Sequence, residues 1–179
     1  MKNLFKKVSA ILMAAIMVLA MASTAFADGP TATITVNNAD NATLTYAQVI
    51  RADQTTRTGW AFVNDDVKNA YIEAYGVADD DAQAAIEKLI ANTDAEKLGK
   101  AQALAAGKVS FVEMSNPQTV SEAGVYLVKA TEVGYTYNIM SAYVGFGEAP
   151  NLTNAIVNAK KTPIQVTKKV LDTDNVTKT

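Results

Sequence analysis

Residues 156–171 read IVNAKKTPIQVTKKVL: a short apolar pair, two lysines, a Thr-Pro break, then an alternation setting Ile164, Val166, Lys168 and Val170 against Gln165, Thr167, Lys169 and Leu171. A repeat of two residues is that of a β-strand, because successive side chains leave the backbone on opposite faces. Pro163 stands where such a strand begins and where its missing N–H costs least. One folded unit is therefore expected to end near Lys160 and a second to begin near Pro163. Lys168 falls in the apolar row of the new strand, between Val166 and Val170. Carrying an unpaired ammonium into a core is expensive, and burial drives it toward the neutral amine, which is a nucleophile. The competing reading is a frayed edge strand with two solvated lysines, which resists unwanted strand pairing.

Upstream of this break the same two-residue period recurs at short intervals. Residues 31–37 alternate cleanly, with Ala32, Ile34 and Val36 on one side, and the run Asn37, Asn38, Ala39, Asp40 and Asn41 supplies a turn. Residues 43–52 form a longer strand, expected to fold back on the first as a hairpin, and residues 59–63 a short apolar one. The period then changes. Asn64, Asp65 and Asp66 suit the start of a helix whose face carries Val67, Ala70, Tyr71 and Ala74. A second helix is expected over 80–91, with Ala82, Ala85, Ile86, Leu89 and Ile90 as its stripe. The aspartates 79–81 sit at its positive end, and the alternating ligands and closing glutamate of a calcium loop are missing. A third helix over 93–106 ends at Gly107. Strands resume at 108–114, 124–131, 137–145 and 151–157, and in the second of these Tyr126, Val128 and Ala130 are the expected core row. Together these predict a mainly β chain, an antiparallel β-sandwich interrupted by a helical insert over about 65–106.

The first 27 residues have a different character. Lys2, Lys6 and Lys7 precede an apolar run over 10–20, and Ala25, Phe26 and Ala27 make a small-x-small cleavage site before Asp28, which together read as a signal peptide. Setting aside its three lysines leaves 13 basic residues against 18 acids, a formal charge of −5. An acidic chain without a basic cluster argues against nucleic acid and against anionic membrane surfaces. Cysteine is absent, so an exported domain of about 130 residues must hold together without disulfides. Histidine is absent too, which removes the commonest general base and metal ligand at once. No glycine-rich phosphate loop or paired-carboxylate spacing appears, and Glu113, Glu122 and Glu132 read best as solvated strand carboxylates. The expectation is a non-enzyme with no cofactor and no metal. The aromatics Trp60, Tyr71, Tyr75, Tyr126, Tyr135, Tyr137 and Tyr143 read as core and rim packing, with a carbohydrate platform as the alternative.

The run VTKKV, residues 166–170, resembles the first strand of immunoglobulin-like domains of the collagen-binding B type, found in Gram-positive surface proteins and above all in sortase-assembled pilin shaft subunits. In that family a lysine on a domain's first strand condenses with an asparagine on its last, assisted by an acidic residue, to give an intramolecular isopeptide bond. The resemblance puts Lys168 in that role, with its partner expected beyond Thr179 in a longer protein. Residues 157–161 stand where pilin subunits carry a Val-Tyr-Pro-Lys-type motif, whose lysine sortase joins to the C-terminus of the next subunit. The lysine is kept as Lys160, while Asn158 and Ala159 replace the aromatic residue and the proline. The resemblance makes Lys160 the candidate intersubunit acceptor, and the other reading is a linker lysine exposed for solubility. The first unit should lack an isopeptide bond of its own, since residues 31–37 contain no lysine and Val128 stands seven residues before Tyr135, where related domains carry an acid.

Taken together, the resemblance implies a signal peptide over 1–27, an N-terminal immunoglobulin-like domain over 28–160 and the first strand of a second domain over 161–179. It implies a structural subunit of a cell-surface pilus or wall-anchored adhesin, secreted and attached to the cell wall. The partners it implies are sortase, other pilin subunits and a host matrix protein or glycan. The alternative is a secreted glycan- or protein-binding module that does not polymerise.

Overall fold

The first two strands of the chain do not share a sheet. In the computed structural model, which describes residues 30–78, 81–147 and 151–165, β1 (Ala32–Asn37) buries Ala32, Ile34 and Val36 as its pattern predicts. β2 (Thr43–Ala52) does not fold back on it. β1 pairs instead with β5 (Gln118–Val120), antiparallel, and with β9 (Ala155–Asn158), parallel. β2 pairs with β6 (Gly124–Thr131). The expected hairpin is therefore a crossing between layers. Asn38 takes a left-handed φ of 63°, Ala39 is buried, and its carbonyl accepts from the Ala42 N–H at 3.0 Å. The turn residues were legible, but local chemistry cannot distinguish a turn that returns along a sheet from one that crosses a sandwich. Facing layers let the buried residues of both strands share one core.

The helical insert interrupts a single edge strand. β3 (Trp60–Phe62) pairs antiparallel with β2 through Ile50 opposite Phe62, and β4 (Val112–Glu113) does so through Tyr46 opposite Val112. Since β6 occupies the other side of β2, β3 and β4 lie along the same edge and run in the same direction. They are two pieces of one strand, separated by three helices. The neck is closed where the Asn64 side-chain amide donates to the Lys108 carbonyl at 3.3 Å. The strand expected over 108–114 shrinks to two residues because Gly107 and Lys108 spend their N–H groups on Leu104 and Ala105 at the end of the last helix.

Each helix begins on a side-chain cap. In α1 (Asp65–Tyr75) the Asn64 side chain accepts from the Val67 N–H at 2.8 Å, and Gly76 ends the helix at a φ of 61°. In α2 (Ala82–Ala91) Asp81 accepts from Gln83 and Ala84, both at 2.9 Å. In α3 (Ala95–Ala105) Asp94 caps Glu96 and Lys97. Their buried faces, including Val67, Tyr71, Ile86, Leu89, Ala101 and Ala105, join the common core. The buried Gln102 donates to Ser141 in β8 (Met140–Val144) at 2.9 Å, which fixes α3 against the sheet.

This helical layer corrects the reading of β6. Tyr126 and Val128 are buried as expected and Ala130 only partly, but Val125 and Leu127 on the opposite row are buried too. The alternating pattern assumes one wet face, whereas here one face meets the β1 sheet and the other meets the helices. The strand expected over 137–145 divides into β7 (Tyr135–Tyr137) and β8, which pair with different partners: β7 with β10 (Lys161–Pro163) and β8 with β6. The closing strand expected over 151–157 forms as β9, beginning four residues later. The architecture is thus mainly β, a sandwich of largely antiparallel strands with a helical insert, and the parallel β1–β9 pair is its departure from the expected pattern.

Candidate functional site

The β9–β10 passage brings two consecutive lysines to the surface in different circumstances. β9 runs beside β1 with Val157 opposite Val36 and Asn158 opposite Asn37. The Asn37 side chain donates to that of Asn158 at 3.1 Å, and the buried Ala159 donates its N–H to the Asn37 carbonyl at 3.0 Å. The chain then crosses to β7, where Lys161 lies opposite Tyr137, Pro163 lies opposite Tyr135, and the Ile164 N–H donates to the Gly134 carbonyl at 2.8 Å. Lys160 sits between these two anchored stretches and is exposed.

Lys161 is committed to a polar cluster. Its Nζ lies 3.1 Å from Oε2 and 3.3 Å from Oε1 of Glu132, and 4.4 Å from the centroid of the Tyr135 ring. Glu132 also accepts a hydrogen bond from the Tyr137 hydroxyl, and its side chain is only 11 % exposed. The tight turn after β6 makes this possible: Gly134 takes a φ of 82°, and Tyr135 donates its N–H back to the Glu132 carbonyl. The Tyr137 hydrogen bond first, and then Lys161, hold the Glu132 carboxyl below its ordinary value. Glu132 in turn raises both Tyr137 and Lys161, chiefly by hydrogen bonding. Lys161 is thereby held as the ammonium, a strap tying β10 to the β6–β7 turn rather than an activated amine.

Of the sequence-derived sites, Lys160 is placed and the others are not. Lys168 and the signal peptide over 1–27 with its cleavage site at Ala27 and Asp28 lie outside the described residues. The Glu132, Tyr137 and Lys161 cluster was missed by sequence reasoning, which took Glu132 for a solvated carboxylate. Tyr135 and Tyr137 sharing one row was the available signal, but nothing in the sequence reveals that residues 161–163 pair with them. Among the described residues no group of three or more His, Cys, Asp or Glu could hold a metal ion, and no helix is long and apolar enough to cross a membrane.

No family model matches the chain, and no curated protein does. Among solved structures it is similar to the T6 backbone pilin of serotype M6 Streptococcus pyogenes, described as a modular three-domain structure decorated with variable loops and extensions. The TM-score is 0.45 at 14 % sequence identity, with 78 % of this chain and 30 % of the pilin covered. The chain thus spans less than a third of the length of that protein.

Proposed function

We propose that this chain is the N-terminal part of a structural subunit of a cell-surface fibre, a pilus or wall-anchored adhesin, joined covalently to its neighbours by sortase through Lys160. The observation that carries this reading is the placement of Lys160. Lys160 is an exposed primary amine on a backbone anchored just before it, by Ala159 on Asn37, and just after it, by β10 on β7. An acceptor must reach an enzyme's active site without unfolding its own domain, and a fixed backbone with an exposed side chain meets that requirement.

In this reading the unit over 28–160 carries load through β1, which is paired on both sides, and the segment over 161–179 opens a second domain. There Lys168 is the candidate for an intramolecular isopeptide bond. The partners are sortase and further subunits, with a host matrix protein or glycan as the outward target, and the protein is secreted and held at the cell surface. The resemblance of residues 157–161 and 166–170 to pilin segments supports this assignment.

Substitution tests it in the producing cell. Lys160→Arg keeps the charge and removes the primary amine, so the high-mass ladder of surface polymer should disappear on denaturing gels while monomer is still exported. Lys161→Arg should leave the ladder intact. Polymer that persists in Lys160→Arg would overturn the assignment.

A further inference from the structure

A groove of about 570 Å³ is lined by residues of β2, β4, β5 and β6 and of the segments beside them. Its floor is the aromatic pair Tyr46 and Tyr126, with ring centroids 6.1 Å apart and ring planes inclined by 41°. Tyr46 is half-buried, while Tyr126 is buried and its hydroxyl donates to the Glu122 carbonyl at 2.8 Å. The rim carries the exposed Ser110, Ser121 and Glu122, and Gln48 of β2 also lines the groove, its side-chain amide donating to the Ala123 carbonyl at 3.4 Å.

Three features narrow what such a groove can hold. First, its lining contains no lysine or arginine and does contain a carboxylate, which disfavours phosphate, sulfate and other anions. Second, the flanking strand edges are two and three residues long, too short to add an extended peptide as another strand. Third, the half-buried Tyr46 ring lines the groove together with hydroxyl, amide and carboxylate side chains, which are the two kinds of group that a pyranose needs. Its C–H face packs on an aromatic ring, and its hydroxyls both donate and accept. The volume lies within the usual range for small-ligand sites, about 300–1,000 Å³. We infer that this groove is a binding site for a neutral saccharide of one or two rings, with Tyr46 as the stacking platform and Glu122, Ser110 and Ser121 as the hydrogen-bonding rim. The site involves neither Lys160 nor Lys161, so it stands or falls independently of covalent assembly.

The test is a chemical-shift titration of the protein with lactose, maltose, cellobiose and N,N′-diacetylchitobiose. Each is taken to about 10 mM, where a weak single-sugar site with a Kd near 1 mM is close to saturation. At least one sugar should produce saturable shifts centred on the amides of Tyr46, Ser110, Ser121 and Glu122. Ser121→Arg, a substitution at an exposed rim position, should leave the melting temperature unchanged and weaken binding at least about tenfold, roughly 1.4 kcal/mol. The inference is overturned if none of the four sugars gives saturable shifts. It is equally overturned if the shifts map elsewhere, or if Ser121→Arg binds as well as the parent.

Discussion

Tyr71 separates what an aromatic ring contributes to this core from what its hydroxyl costs. The residue lies on α1 with no exposed surface, its ring 5.1 Å from that of Phe62 on β3 and 6.4 Å from that of Tyr75. Its hydroxyl has no hydrogen-bond partner among the described residues. A buried polar group left unbonded costs about 1–3 kcal/mol, so Tyr71→Phe, which keeps the ring, should stabilise the protein by about 1–2 kcal/mol. For a domain of this size that is a rise of roughly 3–5 °C in Tm per kcal/mol. Tyr71→Ala removes the ring as well and should cost about 3–5 kcal/mol. The effect also depends on pH. Burial, and to a lesser extent Tyr75, push the Tyr71 phenol well above its ordinary value of 10.0. A raised value in the folded state favours folding fully below the unfolded value and loses that contribution as pH rises beyond it. The parent should therefore weaken above about pH 10, and Tyr71→Phe less so. Urea melts followed by circular dichroism at pH 7 and pH 10.5 measure both effects. A lower midpoint for Tyr71→Phe at unchanged slope would show that the hydroxyl is bonded and would refute the reasoning.

Two further substitutions probe the sheet and the strap. At Gly124 an added Cβ would meet the Ile50 carbonyl oxygen at 2.2 Å, beside the irregularity in β2 between Gln48 and Ile50, so Gly124→Ala should cost at least about 2 kcal/mol in a urea melt. In Glu132→Gln the ammonium of Lys161 loses its counter-charge, and hydrogen exchange should show weaker protection of the Ile164 amide with the global melt little changed. The strap has a pH window with two edges. Glu132 is depressed, so its contribution is present above its ordinary value of 4.5 and is lost as pH falls further. Lys161 is raised, so its contribution is present below 10.5 and is lost as pH climbs past its folded value. Ile164 protection that is flat from pH 3 to pH 7 would contradict this account.

The sequence revealed periods but not layers. The row of β1, the existence of β2, the caps at Asn64 and Asp81 and the insert between Phe62 and Val112 were legible because each rests on spacing within a few residues. What was not legible depends on partners distant in sequence. The parallel pairing of β9 with β1 joins residues some 120 apart, and the dryness of both faces of β6 depends on helices delivered by the insert. Lys160 was singled out by the resemblance of residues 157–161 to a pilin motif, whereas the Glu132, Tyr137 and Lys161 cluster exists only because residues 161–163 cross to β7. Even Val128, read from the sequence as the place of a missing acid, is a fully buried residue opposite Tyr46, where a charge would have no solvent.

Mass spectrometry of tryptic peptides from the assembled surface fibre addresses covalent assembly directly. The account predicts a branched peptide in which the Nζ of Lys160 is bonded to the C-terminal carbonyl of a neighbouring subunit, while Lys161 is recovered unmodified. Polymer in which Lys160 carries a free amine, or in which the branch falls on another lysine, would contradict it.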